Sequence, residues 1–445
     1  MLPDFISKLI YQLSVGIRNP SLNSIYQQLK QSEHFTREQL YKLQFERVQS
    51  LLTFANRYSP YYKTVFDQHA IDVSAIRNSD DFRQIPITDK NTLIAYSADI
   101  HASYNFSKVF KAETSGTTGN ALEFTKNEEW DSTNRAALMR AYDWYGVKPW
   151  QYSGYLWGFN ISGLQAAKVQ LLDFLQNRAR LFNYHHDEIQ KFSGKLHSAS
   201  FLTGYSSMIY EIAKVINQQQ NFSATDFRNI KLVAGTSETI LDIYKTEVEK
   251  AFGLAMRNEY GAAEAGLIAY ECPQGKLHIN VENVLLETNK DNEAIVTNLA
   301  SLSFPVIRYN LGDIIELDDD SVCCDCGIAH PTIKSLSGRK GATIQGKVNQ
   351  YPALTFYYVF KNLAIQDKLF LNYRAFQNES GVVTLKIEQN KSERSELKLK
   401  TQLRNYFSDD VIVNIEWSAS FGAARDSKVQ YFNTTLDNSV NATGA

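Results

Sequence analysis

Between a strand-like Lys108-Val109-Phe110-Lys111-Ala112 and the apolar Ala121-Leu122-Glu123-Phe124 runs Thr114-Ser115-Gly116-Thr117-Thr118-Gly119. Glycines let backbone N–H groups converge on an anion, and the Ser and Thr hydroxyls add donors and a contact for Mg2+, so such a loop can wrap phosphate. No Gly-Lys-Ser/Thr closes it, so it is not a Walker loop, and by itself it is also compatible with an ordinary turn. A second group, Cys323-Cys324-Asp325-Cys326, holds three of the four cysteines. Thiols so crowded make a poor disulfide framework, which leaves a metal reading open.

The elements that must position these groups follow from periodicity. Residues from about 20 to 100 read as helices. Glu38 to Gln44 continues through Val48, Leu51, Leu52 and Ala55 at three-four spacing, and Ser59-Pro60 closes the run. From Phe110 to about Leu317, β-branched runs such as Ile230 to Ala234 and Glu293 to Thr297 alternate with helical stretches such as Thr239 to Phe252. That alternation predicts an α/β layered body. Beyond Ser337-Gly338-Arg339-Lys340-Gly341 the texture changes to strands near Val382 to Ile387 and a charged helix from Ser392 to Phe407. We therefore expect a fold of class α/β, with a large layered domain over 1–337 and a small, mobile α+β domain over 338–445.

A chain of 445 residues is too long for one core. Acids and bases nearly cancel, leaving a formal charge of −2, and no dense Lys/Arg run interleaves with aromatics, so nucleic acid is not an expected partner. Phe5 to Leu13 is apolar at helical spacing but too short and polar to span a bilayer, and it shows no small-residue cleavage site. It reads as a docking helix, no integral membrane segment is expected, and the cytoplasm is the expected location.

Three further motifs follow in order: Tyr260-Gly261-Ala262-Ala263-Glu264, Arg308-Tyr309-Asn310-Leu311-Gly312-Asp313 and Ser337-Gly338-Arg339. With the hydroxyl-glycine loop they resemble the adenylate-forming superfamily of acyl-CoA synthetases and peptide-synthetase adenylation domains. Asn56 to Tyr62, Ile85-Pro86-Ile87-Thr88-Asp89-Lys90 and Phe304-Pro305-Val306-Ile307-Arg308-Tyr309 narrow the resemblance to phenylacetate-CoA ligase and its capsular-polysaccharide relatives, over about residues 40 to 430. Two departures stand out. Ala121-Leu122 replaces the Pro-Lys that often ends the loop, and Lys340-Gly341-Ala342 stands where an acidic pair is common.

The resemblance implies roles that the chemistry supports. Joining a carboxylate to the α-phosphorus of ATP brings like charges together, which Mg2+ and N–H donors must neutralise. Thr114, Ser115, Gly116, Thr117, Thr118 and Gly119 match the phosphate loop, and Glu264 the Mg2+ ligand, a hard oxygen donor. Tyr260, Gly261 and Ala262 match the turn facing adenine, and Ser237 and Glu238, after Gly235-Thr236, the other adenine-side turn. Asp313 matches the acceptor of ribose hydroxyls, and Arg339 a position near ribose and hinge. Lys428, within Arg425-Asp426-Ser427-Lys428-Val429, resembles the mobile lysine that bridges carboxylate and α-phosphate.

Cys272 and His278, joined to Cys324 and Cys326, suit a closed tetrahedral Zn2+ of structural type, and phenylacetate-ligase-like proteins carry a similar pattern. Cys323 or His330 stands as a substitute ligand, and reduced structural cysteines are the other reading. Trp157, Phe159, Tyr184 and Tyr205 stand open between an acyl pocket and core packing.

The expected activity is AMP-forming ligation of a small-molecule carboxylate with ATP and Mg2+, delivering the acyl group to CoA. The resemblance places it in capsular or other surface-polysaccharide synthesis. Delivery to an amine, and a nucleotide-binding scaffold without turnover, are the alternatives.

Overall fold

The computed structural model describes residues 1–114, 122–156, 164–181, 186–218, 222–238, 242–339, 343–367, 373–419 and 432–436, with 240, 369 and 371. Three helices lead the chain: α1 (Asp4–Arg18), α2 (Leu22–Ser32) and α3 (Arg37–Tyr58). α3 starts on a capping box in which the Thr36 hydroxyl and the Gln39 side chain satisfy each other's backbone N–H. It buries Leu40, Gln44, Val48, Leu51, Leu52 and Ala55, the stripe its spacing predicts, and ends at Ser59 before a new helix begins on Pro60. α1 rests Val15 and Tyr11 on Met139, while Phe5, Leu9, Leu13 and Ile17 are exposed.

β1 (Val109–Glu113) and β2 (Glu123–Asn127) form an antiparallel hairpin around the hydroxyl-glycine loop. The main sheet takes β3 (Ser153–Leu156), β4 (Arg178–Arg180), β5 (Phe201–Tyr205), β6 (Leu232–Thr236) and β7 (Met256–Ala262). It goes on through β8 (Gly266–Glu271), β9 (Leu277–Ile279), β10 (Val284–Thr288), β11 (Glu293–Asn298), β12 (Val306–Leu317) and β13 (Thr332–Arg339). The strand order is β10-β11-β12-β13-β9-β8-β7-β6-β5-β3-β4.

β3 to β7 pair in parallel, alternate with helices and share one core with them, as the α/β reading requires. After Met256 the alternation stops, and β7 to β13 pair antiparallel without an intervening helix. Short polar turns there, such as Asn289 to Asn292, allow direct reversal where a parallel crossover would need a helix. This half shares its core with α3 and its neighbours.

A third core draws only on residues 344–432. There β14 (Thr343–Gln345) pairs with β15 (Gln350–Pro352), and a separate sheet in the order β18-β17-β16-β19 joins β16 (Tyr373–Glu379), β17 (Val382–Glu388), β18 (Ile412–Ser418) and β19 (Phe432–Thr434). The helices Leu354–Asp367 and Glu393–Phe407 accompany it. Among the described residues no helix is long and apolar enough to cross a membrane.

Candidate active site

The centre of the site is built where β7 turns into β8. A Cβ on Gly261 would stand 2.6 Å from the Gly266 carbonyl oxygen, so the turn closes only with glycine there. The pairing slips between Tyr260 and Gly261, a bulge that re-aims the side chains around it. The Tyr260 hydroxyl donates to Asp313 Oδ2 at 2.9 Å, bringing the first and second downstream motifs together through β7 and β12. Glu264 is buried at 4% exposure, and its Oε1 accepts from the Tyr309 hydroxyl at 3.3 Å. Its backbone carbonyl is held by Asn298 Nδ2 at 3.0 Å.

Sequence reasoning missed Lys126, on β2 just beyond the loop. Burial lowers its pKa, while the carboxylates of Asp131 and Glu264 act to raise it. Its ammonium also lies 5.2 Å from the Trp130 ring centre. A half-buried cation facing Glu264 and following a phosphate-type loop can balance anionic charge at that place. Its only sequence signal is a lysine two residues after Phe124.

The loop itself is closed at its base. Thr114 donates its backbone N–H to the Leu122 carbonyl at 3.0 Å and its Oγ1 accepts the Leu122 N–H at 3.0 Å. Ser115, Gly116, Thr117, Thr118 and Gly119 lie outside the described residues, as do Trp157, Phe159, Tyr184 and Lys428. Ser237 follows β6 in a left-handed conformation, φ +67°, and the Glu238 carbonyl accepts from Ser206 Oγ at 3.3 Å. The β6–β7 register puts Thr236 opposite Glu259, so this turn flanks Tyr260. The backbone of Arg339 pairs with Asp313 across β12–β13.

Two motifs far apart in sequence are physically joined. Thr88 donates its N–H to the Arg308 carbonyl at 2.9 Å, and Asn310 donates to the Thr88 carbonyl at 2.8 Å. The Arg308 guanidinium bonds both oxygens of Glu287, at 3.1 and 3.2 Å, and the carbonyls of Arg83 and Ile85 at 2.5 Å. Arg308 has φ +46°, a conformation costing a non-glycine residue on the order of 1–3 kcal/mol, held by those bonds. Arg308 thereby anchors the strand that carries Tyr309 and Asp313.

Cys272 after β8, His278 on β9 and Cys324 and Cys326 before β13 converge with all four ligand atoms within 4.8 Å of one another. Cys272 Sγ and Cys324 Sγ are 3.7 Å apart, and Cys326 Sγ is 3.2 Å from His278 Nε2. A tetrahedron with metal–sulfur bonds of about 2.3 Å has edges of about 3.8 Å, so the spacing fits a metal, whereas a disulfide needs about 2 Å. His278 Nδ1 faces the His330 carbonyl at 3.1 Å and must carry its proton toward it, leaving the Nε2 lone pair aimed at the sulfurs. Burial pushes His278 down to about 4 and the Cys326 thiol up to about 12. A cation among the thiols would reverse the second effect.

The substitute ligands are committed elsewhere. Cys323 is exposed, and His330 places Nε2 3.3 Å from Glu282 and Nδ1 3.1 Å from the Ile279 carbonyl. Glu282 is fully buried, which acts to raise its pKa, but the equally buried Arg140 guanidinium 2.6 Å away prevails and holds its carboxyl well below the usual range. Arg47 bonds its carbonyl at 2.7 Å and Ser32 its carboxylate at 2.5 Å, so α2 and α3 are pinned behind the Cys/His cluster.

No protein-family model matches the chain. It is 24% identical over 337 residues to Protein CapK of Staphylococcus aureus, covering 71% of this chain and 72% of that protein. It is 23% identical over 350 residues to the phenylacetate-coenzyme A ligase of Thermus thermophilus, covering 72% and 75%. Its fold matches the crystal structure of 2-hydroxyisobutyryl-CoA ligase in complex with 2-HIB-AMP and CoA with a TM-score of 0.61, at 15% identity and over 90% of this chain and 91% of that one. These likenesses agree with the order of the motifs and with the way β7, β12 and the β1–β2 hairpin assemble them. In sequence the chain is similar to CapK and to a phenylacetate-coenzyme A ligase, and in fold to an acyl-CoA ligase, so it resembles the adenylate-forming superfamily on its phenylacetate-CoA ligase-like side.

Proposed function

We propose that this protein activates a carboxylic acid as its acyl adenylate and passes the acyl group to CoA. In the first step a carboxylate oxygen attacks the α-phosphorus of ATP and the bond to the β-phosphate breaks, releasing pyrophosphate. In the second the CoA thiol, losing its proton, attacks the acyl carbonyl and AMP leaves. The observation that carries this reading is the convergence of Tyr260, Asp313 and Glu264, with Lys126 facing the last, beside a clamped hydroxyl-glycine loop.

In this reading the loop receives the phosphates, Asp313 takes the ribose hydroxyls and the Tyr260 ring lies against adenine. Glu264 would hold Mg2+, whose charge offsets the repulsion between carboxylate and phosphate. Residues 338–445 would swing to bring Lys428 in and then make way for CoA. Cys272, His278, Cys324 and Cys326 would hold a structural Zn2+ that ties the segment after Glu264 to the segment after Asp313. A role in capsular or other surface-polysaccharide synthesis rests on the likeness to CapK alone, and a cytoplasmic setting is part of the same proposal.

The test is carboxylate-dependent exchange of labelled pyrophosphate into ATP over a broad acid panel. Exchange with one acid class, lost in Glu264→Gln and in Lys428→Ala with the fold intact by circular dichroism, is the expected result. Full activity in both variants would sink the site assignment.

A further inference from the structure

Between Met256 and Thr288 the chain has five glutamates, and four of them face a cation: Glu264 faces Lys126, Glu271 Arg257, Glu282 Arg140 and Glu287 Arg308. The fifth is Glu259. The Thr236 hydroxyl bonds it, and among the described residues no cation acts on it. Burial pushes it up to about 7. A carboxyl kept at such a place without a counter-charge weakens the fold, which makes it a candidate for binding.

Its position points the same way. Tyr260 faces Asp313 on one side of β7, so Glu259, one residue earlier, faces the opposite side. Register aligns Tyr205 and Thr236, the last residues of β5 and β6, with Glu259, where the parallel pairing of β7 ends, and open α/β sheets bind ligands outside the carboxyl ends of their parallel strands. One row back, Tyr155 and Thr203 pair across β3 and β5, and Tyr142 bonds Thr203 from the Glu128–Asp143 helix. Glu259, Tyr155 and Tyr205 remain half-buried, while Thr203 and Thr236 are buried. The row thus has a covered floor and a reachable end. Tyr205 meets Tyr358 of the small unit at 5.3 Å between ring centres, so the reachable end lies where that unit closes on the sheet.

The geometry points to Glu259 as the residue that reads the acyl substrate. The acid activated here carries an amino or hydroxyl group, and Glu259 receives its polar hydrogen. This rests on the adenylation reading and adds to it the substrate class: amino or hydroxy acids rather than plain alkyl or aryl acids. A site built to bond such a group rejects the analogue that lacks it, because the site's own polar group is then left unpaired.

The experiment is pyrophosphate exchange with matched triplets, each an amino acid, the hydroxy acid and the unsubstituted acid on one carbon skeleton, for wild type, Glu259→Gln and Glu259→Leu. Wild type should favour a donor-bearing acid by about 100-fold or more. Glu259→Leu should erase or invert that preference within each triplet. Glu259→Gln separates the two donors, since its amide oxygen still accepts from a hydroxyl but no longer balances an ammonium. Equal rates within the triplets, or an unchanged preference in Glu259→Leu, would overturn the proposal.

If no acid supports exchange, the adenylation reading fails, and melting temperatures with the same acids decide the role of Glu259. A donor-bearing acid that raises the melting temperature of wild type but not of Glu259→Leu supports it, and no such acid overturns it.

Discussion

In the antiparallel half of the large sheet, Arg308 meets Glu287, Arg140 meets Glu282 and three sulfurs meet an imidazole, each group answered within the protein. Where the parallel pairing of β6 and β7 ends, Glu259 has a threonine hydroxyl and no cation among the described residues. Internally answered charge fixes backbone, and an unanswered charge beside an opening can answer a ligand. The first half thus reads as a frame that holds Tyr309, Asp313 and Glu264 in place, and the second as the side that reads what is bound.

The hardest way to break the frame is at the Cys/His cluster, since structural zinc binding is coupled to folding. Cys324→Ser with Cys326→Ser should remove metal and lower stability by on the order of 5 kcal/mol. Elemental analysis beside a thermal melt checks it. A parent protein without metal would end the zinc reading.

Next comes Arg308→Ala. It strands Glu287 and leaves the carbonyls of Arg83 and Ile85 without a donor, so a loss of about 3–5 kcal/mol is expected in urea denaturation. Arg308→Lys should recover little, because one ammonium cannot bond two carboxylate oxygens and two carbonyls in a fork.

The open half should respond to pH. An ordinary glutamate titrates near 4.5, and Glu259 is pushed up to about 7 by burial. Between those values the folded protein holds a proton that the unfolded chain has released. Stability should therefore fall as pH rises from 4.5 to about 7 and carry the full penalty above it. The shift corresponds to roughly 3 kcal/mol. Glu259→Gln should flatten this slope in denaturation curves taken at several pH values. A variant with the parent slope would show that another group is responsible.

The same contrast explains what could be read in advance. The α3 stripe announces itself through periodicity, the Cys/His group through ligand type and the hydroxyl-glycine loop through its turn chemistry, whereas Tyr260, Glu264 and Asp313 are legible only through the resemblance that the ordered motifs carry. Arg308 stood inside a recognised motif, but its work depends on carbonyls of Arg83 and Ile85, more than 200 positions away. Glu259 is harder still, since its meaning lies in the lack of a cation among the described residues around it, which no local pattern records. The run of antiparallel strands after Met256 was masked because β11 fits an α/β rhythm as well as a meander.

The smallest expected effect tests whether the frame reaches the nucleotide. Tyr260→Phe keeps the ring and removes the bond to Asp313 Oδ2, worth about 1 kcal/mol as a net hydrogen bond. Since β12 is already anchored by Arg308, the strand should stay in place and only the Asp313 rotamer should loosen. The Michaelis constant for ATP in the exchange reaction should rise about fivefold, the equivalent of that bond, with the maximal rate nearly unchanged. A fall in maximal rate at unchanged affinity would instead mean that the phenol acts in the chemical step, and would shift Tyr260 from positioning Asp313 to touching the reacting groups.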